Sequence, residues 1–332
     1  MTDPHPVPVD SLQLPPVDPD WSADWRGTAF VDGAFVPLAE ARVPLTDFGF
    51  TRSDATYDIA HVWHRRFFRL EDHLDRFERS LAALRLRIPY DREQVRAIAI
   101  DCARRSGLDH ALVAMVATRG TPPPGSRDLR LCRNRFFAYA YPYVFIADPE
   151  QEDKGLSAVV STRLRIPPEA VDPRIKNYHW LDMEMALFEA YDRGADVAIL
   201  PDADGNATEG PGFNVFAVID GELHTPDRGM LEGVSRMTAL DLAHAEGLAV
   251  RIGPVPIDRL RAADEIFVTS TAGGIMPVTR LDDRIYGNGV AGPVTRRLRS
   301  LYRERREAGW HATPIDGAPI DGAPVGGEGA DR

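Results

Sequence analysis

Two Asp-Gly pairs, Asp32-Gly33 and Asp220-Gly221, each stand between short apolar runs. The dipeptide accepts the positive φ angles of a two-residue turn, so each pair predicts an antiparallel hairpin. Another hairpin is predicted in TYDIAHVWHRRFFRL, where Tyr57, Ile59, His61 and Trp63 share one face. Leu70, Leu74, Phe77, Leu81 and Leu84 follow at spacings of three and four, which predicts an amphipathic helix. A second helix is expected over 91–107, and ALVAMVATRG and FFAYAYPYVFIA read as buried strands. The second half predicts strands in LSAVVST and DVAILPD around a helix from His179 to Arg193, ended by Gly194 as a left-handed cap. A helix over 234–247, strands over 248–255 and 265–270, and a last helix over 292–308 complete the pattern.

Strands and helices mixed in this way predict an α/β (α+β mixed) chain of two domains. The expected division is a small domain over 25–146, a linker over 147–155 and a larger domain over 156–311. Residues 1–24 are rich in proline and predict an arm without periodic structure, while 312–332 repeat as PIDGAPIDGAPV and predict a disordered tail. The 39 basic and 50 acidic residues argue against a nucleic-acid partner. No stretch approaches the roughly 20 apolar residues of a membrane span, and the acidic N-terminus lacks the features of a signal peptide. Cys102 and Cys132 are too few for a disulfide framework or a cysteine metal site. The cytoplasm is therefore the expected location. G-x-S-x-G, G-x-G-x-x-G after a strand, and H-E-x-x-H are all missing, so hydrolase, dinucleotide and metal chemistry find no support.

Of the 39 basic residues, 37 are arginine and two are lysine, Lys154 and Lys176. Only lysine can condense with a carbonyl. Lys154 lies in polar EDKG and reads as a surface charge; Lys176, in DPRIKNYHW, is either an ordinary charge or a chemical one. A cofactor bearing an aldehyde and a phosphate would need such an amine, an acid for its ring nitrogen and donors for its phosphate. Glu209 in TEGPGFNVF is either that acid or a solvated turn residue. Val234 and Ser235 open a predicted helix, and Ser270 and Thr271 end a strand among small residues, as phosphate sites do and as ordinary caps and turns do. Arg76 either adds charge there or pairs with Asp72 one turn away.

Taken in order, these pieces resemble the class IV (fold type IV) pyridoxal-phosphate aminotransferases, and most of all the (R)-selective amine transaminases. The resemblance runs from about residue 26 to 310 through TRSDATYDIAHVWHRRFFRLEDHLDRF, DPRIKNYHW, EAYDRGAD, TEGPGFNVFAV, TPDRGMLEGVSR, DEIFVTSTAGGIMPVT and GPVTRR. It implies the D-amino acid aminotransferase-like fold, pyridoxal 5'-phosphate as cofactor and a homodimer. Lys176 matches the lysine that bonds the cofactor aldehyde, and Glu209 matches the acid at the ring nitrogen. Arg76, Val234, Ser235, Ser270 and Thr271 match the phosphate contacts, with Trp180 near the cofactor edge. The implied reaction moves an amino group from an (R)-amine or D-amino acid to a keto acid such as pyruvate, by a ping-pong route.

Tyr57, Ile59 and Ala272 fall where the family lines its substrate pocket. Arg52 stands where many relatives carry histidine; Leu112 and Ala114 replace an aromatic and a glutamate found in some of them. Arg127, in GTPPPGSRD, matches an arginine that meets the acceptor carboxylate. Branched-chain or D-amino acid transamination, or a lyase reaction of the aminodeoxychorismate type, are the alternatives on the same fold.

Overall fold

The computed structural model describes residues 25–146 and 154–317. The predicted arm, most of the predicted linker and residues 318–332 of the predicted tail lie outside the described residues.

In the first part of the chain, β1 (Thr28–Val31) and β2 (Ala34–Pro37) form the first hairpin. Asp32 and Gly33 take φ of 51° and 85° at its turn, as the Asp-Gly pair requires. A short helix α1 (Phe48–Arg52) is capped by Asp47, whose carboxylate accepts the Gly49 amide. The second hairpin joins β3 (Ala55–Trp63) to β4 (Arg66–Phe68). Helices α2 (Leu70–Ala83) and α3 (Arg92–Ser106) follow, the latter begun by a capping box of Asp91 and Gln94 and ended by Gly107. β5 (Ala111–Thr121) and β6 (Arg133–Pro142) complete this part; the predicted strand ends at Pro142, short of Ala147.

The second part begins with β7 (Leu156–Val160), α4 (Leu181–Asp192) and β8 (Val197–Ile199). β9 (Glu209–Gly210), β10 (Phe213–Ile219) and β11 (Glu222–Thr225) lead to α5 (Val234–Ala245) and β12 (Val250–Ile252). Then come α6 (Ile257–Ala262), β13 (Glu265–Ser270), β14 (Gly274–Leu281), β15 (Arg284–Ile285), α7 (Pro293–Glu307) and β16 (Ala312–Pro314).

The strands make two sheets. The first is antiparallel throughout, in the order β16-β4-β3-β5-β6-β1-β2. Phe30, Val62, Phe67, Met115 and Phe136 bury one of its faces against Leu70, Leu74 and Phe77 of α2 and Ile98 of α3. The second sheet is mixed, ordered β12-β11-β10-β13-β14-β7-β8, with parallel pairs at β11–β12, β14–β7 and β7–β8. Phe216, Val218 and Phe267 on one face pack beneath α5 and α7, while Val215, Ile266 and Val278 on the other join Leu260 of α6. Covered on both sides, β10 is buried along its whole length, which is why it reads as a continuous apolar run.

One expectation is corrected, and one strand was not foreseen. The predicted tail does not begin at residue 312: Ala312–Pro314 pair with β4, and Ile315 is fully buried in the first core. Ile315 fills the core there, its amide donates to the Arg65 carbonyl and its carbonyl accepts from Arg104 Nε, and Asp316 pairs with the Arg65 guanidinium. β14 was not foreseen because Pro277 breaks its pattern; β7 begins opposite Val278, so the proline precedes the partner strand on that side.

Candidate active site

The loop between β7 and α4 carries Lys176. Its backbone carbonyl accepts from the Tyr57 amide at 3.1 Å and the Thr56 hydroxyl at 2.7 Å, and its amide donates to Ser80 Oγ at 3.3 Å. The lysine is thus fastened to β3 and α2 of the first sheet while belonging to the chain of the second. Its ammonium nitrogen lies 4.4 Å from the centroid of the Tyr57 ring. The side chain keeps some exposure because it faces a cavity, yet protein surrounds it. Burial, reinforced by the nearby Arg76 guanidinium, lowers its pKa to about 8, so a neutral amine is accessible near neutral pH.

Glu209 occupies β9 at 5% exposure. Its Oε1 accepts from Arg165 Nε at 3.1 Å and its Oε2 from the Leu231 amide at 2.9 Å. Arg165 also donates to Asp182 Oδ2 at 2.6 Å, forming a buried chain of acid, base and acid. Burial raises the Glu209 pKa, and Arg165 opposes that rise. The turn-residue alternative does not hold: the side chain points inward and is fully partnered.

Arg76 is equally buried and does not pair with Asp72, which instead accepts from Arg69 at 2.6 Å. Its partner is Asp58 on β3: Nε donates to Oδ2 at 2.7 Å and a terminal nitrogen donates to Oδ1 at 2.8 Å. The other terminal nitrogen reaches the Glu232 carbonyl at 3.1 Å, just before α5. Although burial alone would raise the Asp58 pKa, Arg76 and His73 hold it well below the usual carboxylate range. The start of α5 has the features that anion sites share. Gly233 caps it without a side chain, leaving the first-turn amides of Val234 and Ser235 without a side-chain acceptor. A Cβ on Gly233 would collide with Asn214 Oδ1, so only glycine allows this approach. Beside it, Ser270 Oγ accepts the Ala272 amide at 3.3 Å, and the buried Thr269 hydroxyl has no partner.

These groups line one cavity of about 210 Å³. Lys176, Arg76, Glu209, Val234, Ser235, Ser270, Thr271 and Trp180 all border it, as do Tyr57, Ile59, Leu112 and Ala272. Tyr57 stacks on Tyr178 at 4.4 Å between centroids, and Trp180 is fixed by its Nε1–H donating to the Asn177 carbonyl at 3.1 Å. Three predicted residues stand outside it. Ala114, opposite Ile59 in the sheet register, packs beneath with Tyr57, Val116 and Phe137. Arg52 is exposed with its guanidinium 3.6 Å from the Phe48 ring, and Arg127 is exposed on its loop. Sequence reasoning missed Asp58, Arg165 and Thr269. For Asp58 the signal was there, a lone charge inside a strand that is otherwise largely apolar.

Residues 55–281 match the family described as amino-transferase class IV. The chain belongs to this family. The branched-chain-amino-acid aminotransferase of Pseudomonas aeruginosa is 31% identical over 71% of this chain and 77% of its own. A D-alanine aminotransferase of Listeria monocytogenes is 28% identical over 82% and 94%. The crystal structure of the branched-chain amino acid aminotransferase from Thermobaculum terrenum, in its PLP-bound holo-form, superposes with a TM-score of 0.79 at 28% identity, covering 88% of this chain and 99% of that one.

Class IV aminotransferases use pyridoxal phosphate. The cavity fits that cofactor's chemistry, because it offers an amine, a buried carboxyl, an arginine beside a helix start with no side-chain cap, and an unpartnered hydroxyl. The enzyme is an aminotransferase of small amino and keto compounds, and among the described residues no helix is long and apolar enough to cross a membrane.

Proposed function

We propose that this class IV aminotransferase takes its amino group from an (R)-amine, or a D-amino acid as a lesser donor, and passes it to a keto acid such as pyruvate. When bound, the cofactor supplies an electron sink that weakens the donor's Cα–H bond. Lys176 is the amine that would bond its aldehyde. As a free amine, Lys176 Nζ would take the proton from the donor carbon and later give one up, roles that a pKa near 8 suits. Glu209, braced by Arg165, would hold the proton of the ring nitrogen. Arg76, the Val234 and Ser235 amides, Ser270 and Thr271 would hold the phosphate, with Thr269 completing that set. Trp180, Tyr57, Ile59, Leu112 and Ala272 would bound the donor's side chain.

The observation carrying the donor assignment concerns charge. The two arginines that line the cavity are both committed to buried acids, Arg76 to Asp58 and Arg165 to Glu209 and Asp182. Neither is offered to a substrate carboxylate, while tyrosine, tryptophan and aliphatic side chains are. That favours a donor with an apolar body and no carboxylate. The acceptor's carboxylate is left to Arg52 or Arg127, which would have to move toward the cavity mouth. The names of the relatives favour a second reading, with branched-chain amino acids or D-alanine as donors.

One panel separates the two: (R)- and (S)-1-phenylethylamine, D-alanine and L-leucine, each with pyruvate or a keto acid acceptor. A clear lead of the (R)-amine supports the proposal; a lead of (S)-amine or L-leucine refutes it.

We further propose a cytoplasmic homodimer. Leu181, Met185 and Phe188 form an exposed apolar stripe along α4, beside the loop that holds Lys176. Cys102 and Cys132, both unpaired, suit a reducing compartment. Light scattering that reports the mass of a single chain would contradict the dimer.

A further inference from the structure

Arg165 holds two acids at once, and it holds them unequally. A terminal nitrogen donates to Asp182 Oδ2 at 2.6 Å, whereas Nε donates to Glu209 Oε1 at 3.1 Å. The side chains of Arg165, Asp182 and Glu209 are 6%, 10% and 7% exposed, so water does little to screen them. They come from separate stretches of chain. Arg165 follows β7 and is fixed by its amide, which donates to the Pro201 carbonyl; Asp182 lies in the first turn of α4 and Glu209 in β9.

An acid in the first turn of a helix is ordinary, because the helix dipole favours it there. Such an acid normally faces water, and Asp182 does not. Its Oδ2 accepts from Arg165 and from the Ile166 amide, while its Oδ1 is buried without a hydrogen-bond partner. A carboxylate oxygen left unanswered in the interior is costly, so this charge calls for a counterpart.

The charges around the cavity supply one. Its lining cations are Arg76, Arg165 and Lys176. Arg76 is matched by Asp58. Lys176 ceases to be a free ammonium once it bonds the cofactor's aldehyde. Arg165 can neutralise only one of its two acids, which leaves a single negative charge beside the cavity. Without Asp182, Arg165 and Glu209 would already be neutral together, and a proton on the cofactor's ring nitrogen would meet no net charge.

We propose that Asp182 is a positioning residue for amino transfer: by drawing Arg165 to itself it leaves Glu209 with the uncompensated charge that keeps the ring nitrogen protonated. The inference rests on the reading of Glu209 as the acid at that nitrogen, and goes beyond it by tracing the charge to a side chain that does not line the cavity.

The full-length protein, reconstituted with pyridoxal phosphate carrying nitrogen-15 in its ring, tests this by NMR, because the ring-nitrogen signal reports its proton. Competition between pyridoxal phosphate and its 1-deaza analogue, which has no ring nitrogen, gives a second measure. The parent should show a protonated nitrogen and prefer pyridoxal phosphate. Asp182→Asn should lower the protonated fraction and cut that preference about ten-fold, the effect of roughly one pKa unit, without weakening the analogue. Adding Arg165→Met to Asp182→Asn leaves Glu209 uncompensated again and should return both measures toward the parent; it carries the test should the single variant fold poorly. Measures unmoved by Asp182→Asn but lost in Glu209→Gln would overturn the role of Asp182 and leave Glu209 standing. Measures unmoved in Glu209→Gln would overturn the reading of Glu209 and this inference with it. A double variant further from the parent than the single one would show that Asp182 acts through packing rather than charge, and would overturn it too.

Discussion

Arg165 Nε lies 3.1 Å from Glu209 Oε1, and the two side chains are only 6% and 7% exposed. A buried pair of this kind is destabilising to break, because the surviving partner keeps its desolvation cost. Arg165→Met should therefore cost about 3–5 kcal/mol of stability in urea unfolding. It should also raise the Glu209 pKa further, since burial already pushes it up and the opposing cation is gone. A carboxylate that forms only at higher pH moves the acidic limb of the kcat/KM profile upward. An unmoved limb would show that Glu209 is not the group being titrated.

Asp58→Asn removes the charge that holds Arg76. The guanidinium keeps its contact with the Glu232 carbonyl but exchanges two carboxylate bonds for at most one to a neutral amide oxygen. The expected outcome is a lower Tm and weaker cofactor retention together, read by thermal unfolding and by cofactor loss on dialysis. Loss of stability with unchanged retention would make Asp58 purely structural.

Lys176 supplies a pH test in the cofactor-free protein. Its folded pKa, about 8, lies below the value of 10.5 for an unburied lysine. Between those values the unfolded chain binds more protons than the folded one, so this group's contribution makes stability rise with pH from about 8 to 10.5. Subtracting the pH profile of Lys176→Met from that of the parent isolates the slope. A flat difference across that window would show an unperturbed amine. The same substitution should abolish amino transfer, assayed in a single turnover.

Gly233→Ala places a methyl against Asn214 Oδ1 at the cap of α5. Either Asn214 or the helix start must move, so cofactor affinity should fall while α5 itself persists. Equilibrium binding of pyridoxal phosphate and far-UV circular dichroism separate the two effects.

Ile315→Ala should destabilise the protein by about 3 kcal/mol, as for other fully buried aliphatic side chains. A change below about 0.5 kcal/mol would mean that β16 is not held in solution.

Much of this architecture was legible because local chemistry and tertiary fold agree. Asp32-Gly33 and Asp220-Gly221 turn where the dipeptide favours a turn, and the spacing from Leu70 to Leu84 marks the buried face of α2. Lys176 stood out by scarcity, and Glu209 by the glycines around it. Long-range partners were not legible. Nothing local to Arg76 announces Asp58, 18 residues away in a different element, while Asp72 sits at helical spacing and is taken by Arg69. Arg165 was one arginine among 37, and only the fold sets it against Glu209. Pro277 hid β14 because its tolerance depends on where a neighbouring strand begins.

The placement of β16 bears on how the molecule is made. The first sheet begins with residue 28 and receives its outermost strand from residues 312–314. During synthesis the border of the first sheet at β4 stays open until residues 312–314 have been made. Closure of that border is thereby tied to residues far along the chain, and a polypeptide cut short before residue 312 leaves β4 uncovered, a natural target for chaperones and proteases.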